Sequence, residues 1–171
     1  MSDAGASRFH IFPWREEEGY GGKRLLRPTL FVTLSSGDLD TTTKALIDTG
    51  SPRCVFPRGA GEALSLDFPP PFEATRKVVL MGREWPAVTV PVWFVLQPFD
   101  DLGWEAEVDF VLDEGLPFGL LGYEGFLNRW AVSFNAANGY FVVEPAESFA
   151  ERIPADTFDE FERRYPDEFQ P

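Results

Sequence analysis

The fold is decided by the stretch Lys44-Ala45-Leu46-Ile47-Asp48-Thr49-Gly50-Ser51. Its apolar first half predicts the end of a buried strand, and an ionisable carboxylate, Asp48, follows at once. Gly50 permits a backbone conformation that other residues avoid, and the hydroxyls of Thr49 and Ser51 can donate to Asp48 or to nearby backbone. The stretch therefore predicts a carboxylate held rigidly in a tight turn at a strand end.

A surface turn is the competing interpretation, because Asp, Thr, Gly and Ser are common turn residues. The flanking sequence favours the buried interpretation, since Cys54-Val55-Phe56 resumes an apolar run soon after the turn. These three residues are predicted to begin the next strand.

Length and composition predict one domain with appendages. The chain has 171 residues, which is enough to bury a real core. Its 15 glycines and 15 prolines, with many Val, Thr, Phe and Trp residues, favour short strands over long helices. We divide the chain into an N-terminal arm (1–27), a central domain (28–145) and an acidic, aromatic C-terminal tail (146–171).

Charge and rare residues exclude several functions. A net charge of −13 argues against nucleic acid and anionic membrane as partners, although an acidic surface also serves solubility. Cys54 is the only cysteine and His10 the only histidine, so an internal disulfide is impossible and a zinc site is nearly excluded. No cofactor is expected. Without a secretory signal or a long apolar run, a cytoplasmic location is expected.

Periodicity and turn residues give the remaining elements. We predict hairpins at 27–34 with 41–47, at 77–81 with 87–96 about Gly82, and at 131–134 with 140–143. Short helices are predicted over 57–66 and 122–130, and a tail helix over 157–164. Residues 97–107 are predicted to be a polar loop.

A second motif, Leu120-Leu121-Gly122, follows far along the chain. Together with residues 45–51, and in this order of strands, it resembles the retropepsin-like aspartic proteases, the single-domain relatives of the pepsin fold. The resemblance covers about residues 28–145. It implies an all-β, mostly antiparallel fold: a closed acid-protease-type β-barrel with one or two short helices.

The resemblance also implies an activity, hydrolysis of a peptide or protein substrate by a homodimer. Each chain would supply one catalytic Asp48, and the two carboxylates would activate a water between them. Thr49 would tie the two active-site loops together, Gly50 would allow their close approach, and Ser51 would hydrogen-bond Asp48. Apolar pockets would be lined by Val55, Leu120 and a proline-rich segment, whereas Leu121 and Gly122 would pack beneath the loop.

Two departures leave alternatives open. The family's glycine-rich flap is matched here by the short, proline-rich segment 66–75, and Arg53, which we expect to point to solvent, follows the motif. These features leave room for a catalytically inactive module of the same fold that binds or scaffolds. The acid pairs Asp100/Asp101 and Asp109/Asp113 leave room for calcium binding or sugar chemistry.

Overall fold

A computed structural model describes residues 9–18, 22–80, 82–151, 157 and 163. The described residues are mostly β-strand, with two short α-helices. The strands, in chain order, are β1 (His10–Pro13), β2 (Arg15–Glu18), β3 (Arg24–Arg27), β4 (Thr29–Ser36), β5 (Leu39–Ile47), β6 (Val55–Phe56), β7 (Arg76–Leu80), β8 (Arg83–Leu96), β9 (Phe99–Val111), β10 (Gly119–Leu121), β11 (Trp130–Asn135) and β12 (Tyr140–Pro145). The helices are α1 (Arg58–Ala63) and α2 (Ala146–Glu151).

Six strands close into a barrel. Their order is β4-β5-β10-β6-β9-β8, and β8 returns to pair with β4. Strand β7 extends the sheet beyond β8 as one arm of a hairpin. Closure pairs every strand edge of the ring, so the barrel has no free edge of its own. The all-β prediction and the short helix over 57–66 are confirmed.

The core fills the barrel with aromatic and branched side chains. Strand β4 contributes Leu30, Val32 and Leu34, which are buried on one face. A second, smaller cluster contains Val55 of β6 and Leu120 of β10 together with residues of β7 and β8. This cluster joins the β7–β8 hairpin to the barrel wall.

Two predicted elements differ from the structure. Residues 97–107 belong to a long hairpin of β8 and β9 rather than to a loop. Their acidic side chains are exposed, whereas Phe99 and Trp104 are buried. Residues 123–129 form successive turns, not a helix, and Gly125 interrupts them with a φ of +96°.

Two smaller sheets are separate from the barrel sheet. Strand β1 pairs with β12, which pairs with β11, in a separate three-stranded sheet, and β2 pairs with β3. The helix predicted over 157–164 lies almost wholly outside the described residues. None of the helices among the described residues is long and apolar enough to span a membrane.

Candidate active site

Asp48 follows directly after β5, where two parallel strands end together. Strand β10 lies beside β5, with Leu121 opposite Ile47. The Asp48 amide then donates to the carbonyl of Leu121 over 3.1 Å. The two sequence motifs are therefore joined by backbone hydrogen bonds, and the position of Asp48 is set by the sheet rather than by a free loop.

The turn after β5 orients the Asp48 carboxylate. The Gly50 amide donates to Asp48 Oδ1 over 3.0 Å, and the Ser51 amide donates to the Asp48 carbonyl over 3.2 Å. Asp48 is half-buried, whereas Thr49 and Gly50 are exposed. The Ser51 hydroxyl has a different partner from the expected one, because it donates to the carbonyl of Arg53 over 2.7 Å.

Gly122 supports this turn from below. A Cβ at this position would lie 2.2 Å from the carbonyl oxygen of Arg53 and 2.6 Å from that of Ser51. Only a residue without a side chain fits such a close approach of two backbone segments. The adjacent Tyr123 amide donates to the same Ser51 carbonyl over 2.9 Å.

A groove of about 820 Å³ opens beside Asp48. Its walls come from the active-site turn, from residues 116–118 before β10, and from β7, which pairs with the start of β8 in a hairpin (76–80 with 83–87) that we call the groove hairpin. Val55 and Leu120 line this groove. Leu121 lies in the main core.

The proline-rich segment lies elsewhere. Among the described residues, none of 66–75 lines the groove. Phe68 instead packs against Phe110, with ring centroids 5.5 Å apart, and fills the space beside Gly61 of α1. The segment expected to be the flap therefore packs against α1. The groove hairpin, whose strands and Gly82 turn were predicted from the sequence, occupies the position beside the groove.

One row of side chains crosses five neighbouring strands, and its first four members line the groove. The register places Leu46 opposite Leu120, Leu120 opposite Val55, and Val55 opposite Asp109. Thr89 continues the row on β8, opposite Asp109. The row is apolar until Asp109, whose side chain is only 1% exposed. Asp109 was not predicted to line the groove, because only the sheet register places it there.

Two of the four described cations that line the groove, Arg53 and Lys77, have carboxylate partners outside it. The Arg53 side chain, largely covered rather than pointing to solvent, pairs with Glu124 over 2.7 Å and with Glu107 over 3.3 Å. Lys77 pairs with Glu84, and this hydrogen bond raises the pKa of the Lys77 ammonium.

Asp109 and Asp113, which were suggested as a pair, lie in different surroundings. Asp113 binds Arg83 over 2.8 Å at the surface, whereas Asp109 is buried. Among the described residues, no group of three or more His, Cys, Asp or Glu side chains is placed to hold a metal ion. Cys54 is buried, and loss of solvation raises the pKa of its thiol to about 12, so it is a poor nucleophile.

No protein-family model matches the chain, and no curated protein matches it significantly. Solved structures do match. A retropepsin-like aspartic protease from Rickettsia conorii aligns with a TM-score of 0.51 and 14% identity, over 80% of this chain and 99% of that one. The EIAV protease in complex with the inhibitor HBY-793 aligns with a TM-score of 0.43 and 18% identity, over 57% of this chain and 82% of that one.

The rickettsial structure and the closed six-stranded barrel together show a retropepsin-like fold of the acid-protease type. The fold that the resemblance implied is thus confirmed.

Proposed function

We propose that this protein is an aspartic endopeptidase in which two copies of the chain each supply Asp48. The observation that supports the proposal most strongly is the placement of Asp48. Its carboxylate accepts from the Gly50 amide, stands at the mouth of a large groove, and is supported by Leu121 and Gly122 beneath. A rigidly held carboxylate at a substrate-sized groove suits activation of a water.

We assign the second carboxylate to a second copy of the chain. Among the described residues, two other carboxylates line the groove, those of Glu18 and Asp109. Asp109 lies three strands from β5 along the barrel wall, about 14 Å at ordinary strand spacing. That separation is too large for two acids to share a proton. The exposed Thr49 and Gly50 are free to approach the same turn of a partner across a two-fold axis.

The chemistry follows from this pairing. Two carboxylates held a few ångströms apart do not both ionise, so the Asp48 pair retains one proton. The charged member takes a proton from a water between them, and that water attacks the scissile carbonyl. The protonated member polarises the carbonyl oxygen and then helps to protonate the leaving amine.

The groove would bind the substrate beside this pair. The apolar row of Leu46, Leu120 and Val55 offers contact area for substrate side chains. We assign the role of a flap to the groove hairpin, because Val78, Leu80 and Trp85 already pack with Val55 and Leu120. A hairpin attached along only one strand can lift and close over a bound peptide and exclude water.

The test is digestion of a random peptide mixture by the purified protein from acidic to neutral pH, with and without a pepstatin-type inhibitor. The proposal expects inhibitor-sensitive products that Asp48→Asn, checked for retained dimer and fold, does not form. Equal cleavage by Asp48→Asn would reject the mechanism.

Complete absence of products at every pH, with peptide binding retained, would favour a catalytically inactive binding module of the same fold. A stable monomer at micromolar concentration would point the same way. The cytoplasmic location stays a prediction from the sequence.

A further inference from the structure

Asp109 has an oxygen that the described residues leave without a hydrogen-bond donor. Its Oδ1 accepts from the Thr89 hydroxyl over 2.6 Å, but Oδ2 has no hydrogen-bond partner among them. The nearest cation is Arg76, whose Nε lies 3.6 Å from Oδ2, beyond hydrogen-bond range. Asp109 is thus a buried acid with one acceptor satisfied and one available.

Such a group is unusual in an apolar wall. Aspartate is almost never fully buried unless it is paired, and an unsatisfied buried carboxylate costs several kcal/mol. A small apolar residue at position 109, opposite Val55, would complete the row without that cost. A ligand that binds Oδ2 from the groove would explain why an acid stands here.

Arg76 covers this carboxylate from the groove hairpin. It belongs to β7, lines the groove and is 43% exposed, so it can leave Asp109 at little cost in packing. Among the described residues Asp109 is its ion-pair partner, whereas Arg53 and Lys77 are held by carboxylates outside the groove. A ligand cation can therefore take the place of Arg76 in this loose contact with Asp109.

We infer that Asp109 selects substrates with a lysine or arginine side chain at one position, and that Arg76 competes with that side chain for the carboxylate. The aliphatic stem of the substrate residue packs along Val55 and Leu120, and its charged end binds Oδ2. The inference rests on the proposed function only in that the groove binds a peptide.

Binding and cleavage are therefore measured separately. Randomised peptides displayed on phage are selected for binding to immobilised Asp48→Asn protein. This selection measures binding without hydrolysis. The inference expects lysine and arginine to be enriched about 10-fold or more at a single position, as for a hydrogen bond to a buried charge. Adding Asp109→Asn, which keeps the shape and the Thr89 hydrogen bond, removes the enrichment. Adding Arg76→Gln increases it.

Two control variants make the same charge changes elsewhere. Glu105→Gln alters an exposed acid on the same strand as Asp109, and Arg24→Gln alters an exposed arginine paired with Glu16. Both should leave the enrichment unchanged. These controls account for the general attraction of basic peptides to a chain of net charge −13.

The results of this binding selection test the inference whether or not the wild type cleaves peptides. No basic enrichment, enrichment spread evenly over all positions, or enrichment that survives Asp109→Asn would overturn it. If Asp109→Asn does not fold, Arg76→Gln decides: a rise supports the inference, and an unchanged or lower preference overturns it. Absence of cleavage by the wild type, with a position-specific basic preference, would reject the protease and keep the subsite.

Discussion

The backbone amide of Asp48 donates to the carbonyl of Leu121 over 3.1 Å. This bond joins the end of β5 to the end of β10, two segments that are far apart in the sequence and parallel in the sheet. Gly122 then passes beneath the turn within van der Waals range of two of its carbonyls. The second motif thus acts as a support that fixes the first.

Gly122→Ala should damage both stability and activity. The new Cβ would lie 2.2 Å from the Arg53 carbonyl oxygen, which is backbone and cannot rotate away. We expect a loss of about 2–3 kcal/mol in the free energy of unfolding, as for overpacking, with displacement of the turn that holds Asp48. Chemical denaturation and peptide cleavage measure the two effects.

The matched control is Gly59→Ala. A Cβ at Gly59 meets nothing within 4 Å, and the residue lies in α1, where alanine is favoured over glycine by up to about 1 kcal/mol. The control should be as stable as wild type or more so. Equal stability of Gly122→Ala and Gly59→Ala would contradict the supporting role of Gly122.

Glu17 should contribute stability that acid removes. A hydrogen bond from Lys44 of β5 is the main cause that lowers the pKa of Glu17 below its ordinary value of 4.5, against the opposing effect of burial. Because the folded state binds this proton more weakly, the contribution is present above about pH 4.5. It is lost as the pH falls through the lowered pKa.

Glu17→Gln should therefore lower the free energy of unfolding by about 1 kcal/mol at neutral pH. Below about pH 4.5 the variant should lose less stability than the wild type does. Urea unfolding at neutral and acidic pH measures this difference. Glu16→Gln is the control, since Glu16 forms an exposed pair with Arg24 and should change little. A parallel response of the two variants to acid would count against the role of Glu17.

Cys54 should be unreactive in the folded protein. Burial, with a smaller effect from the charge of Asp109, raises the pKa of the thiol from 9.0 to about 12. At pH 8 the folded protein should react with a thiol reagent about 1000-fold more slowly than the urea-unfolded chain. Rapid labelling without unfolding would contradict the buried position.

The raised pKa of the Cys54 thiol should also reduce stability at high pH. Between about pH 9 and pH 12 the unfolded thiol ionises while the folded thiol keeps its proton, so stability falls as the pH rises. Cys54→Ala removes this component, and its unfolding free energy should decline less steeply over that range than that of the wild type.

The sequence predicted the parts of the site that local patterns encode. The turn at 48–51 and the strands around it follow from short motifs and alternation, whereas the place of Gly122 beneath the turn follows from the family resemblance. The first part of β9, residues 99–107, was predicted as a loop because its exposed acidic residues obscure the buried Phe99 and Trp104. Asp109 and Arg76 meet only through pairing among β6, β7, β8 and β9, which no local pattern specifies.

The central claim is that one active site needs Asp48 from two chains. The direct measurement mixes wild type with Asp48→Asn at constant total concentration, allows the subunits to exchange, and records the rate of peptide cleavage. If both carboxylates are required, an equal mixture retains about one quarter of the wild-type rate, because only wild-type pairs are active. A rate of about one half, falling in proportion to the wild-type fraction, would mean that each chain acts alone and would contradict the account.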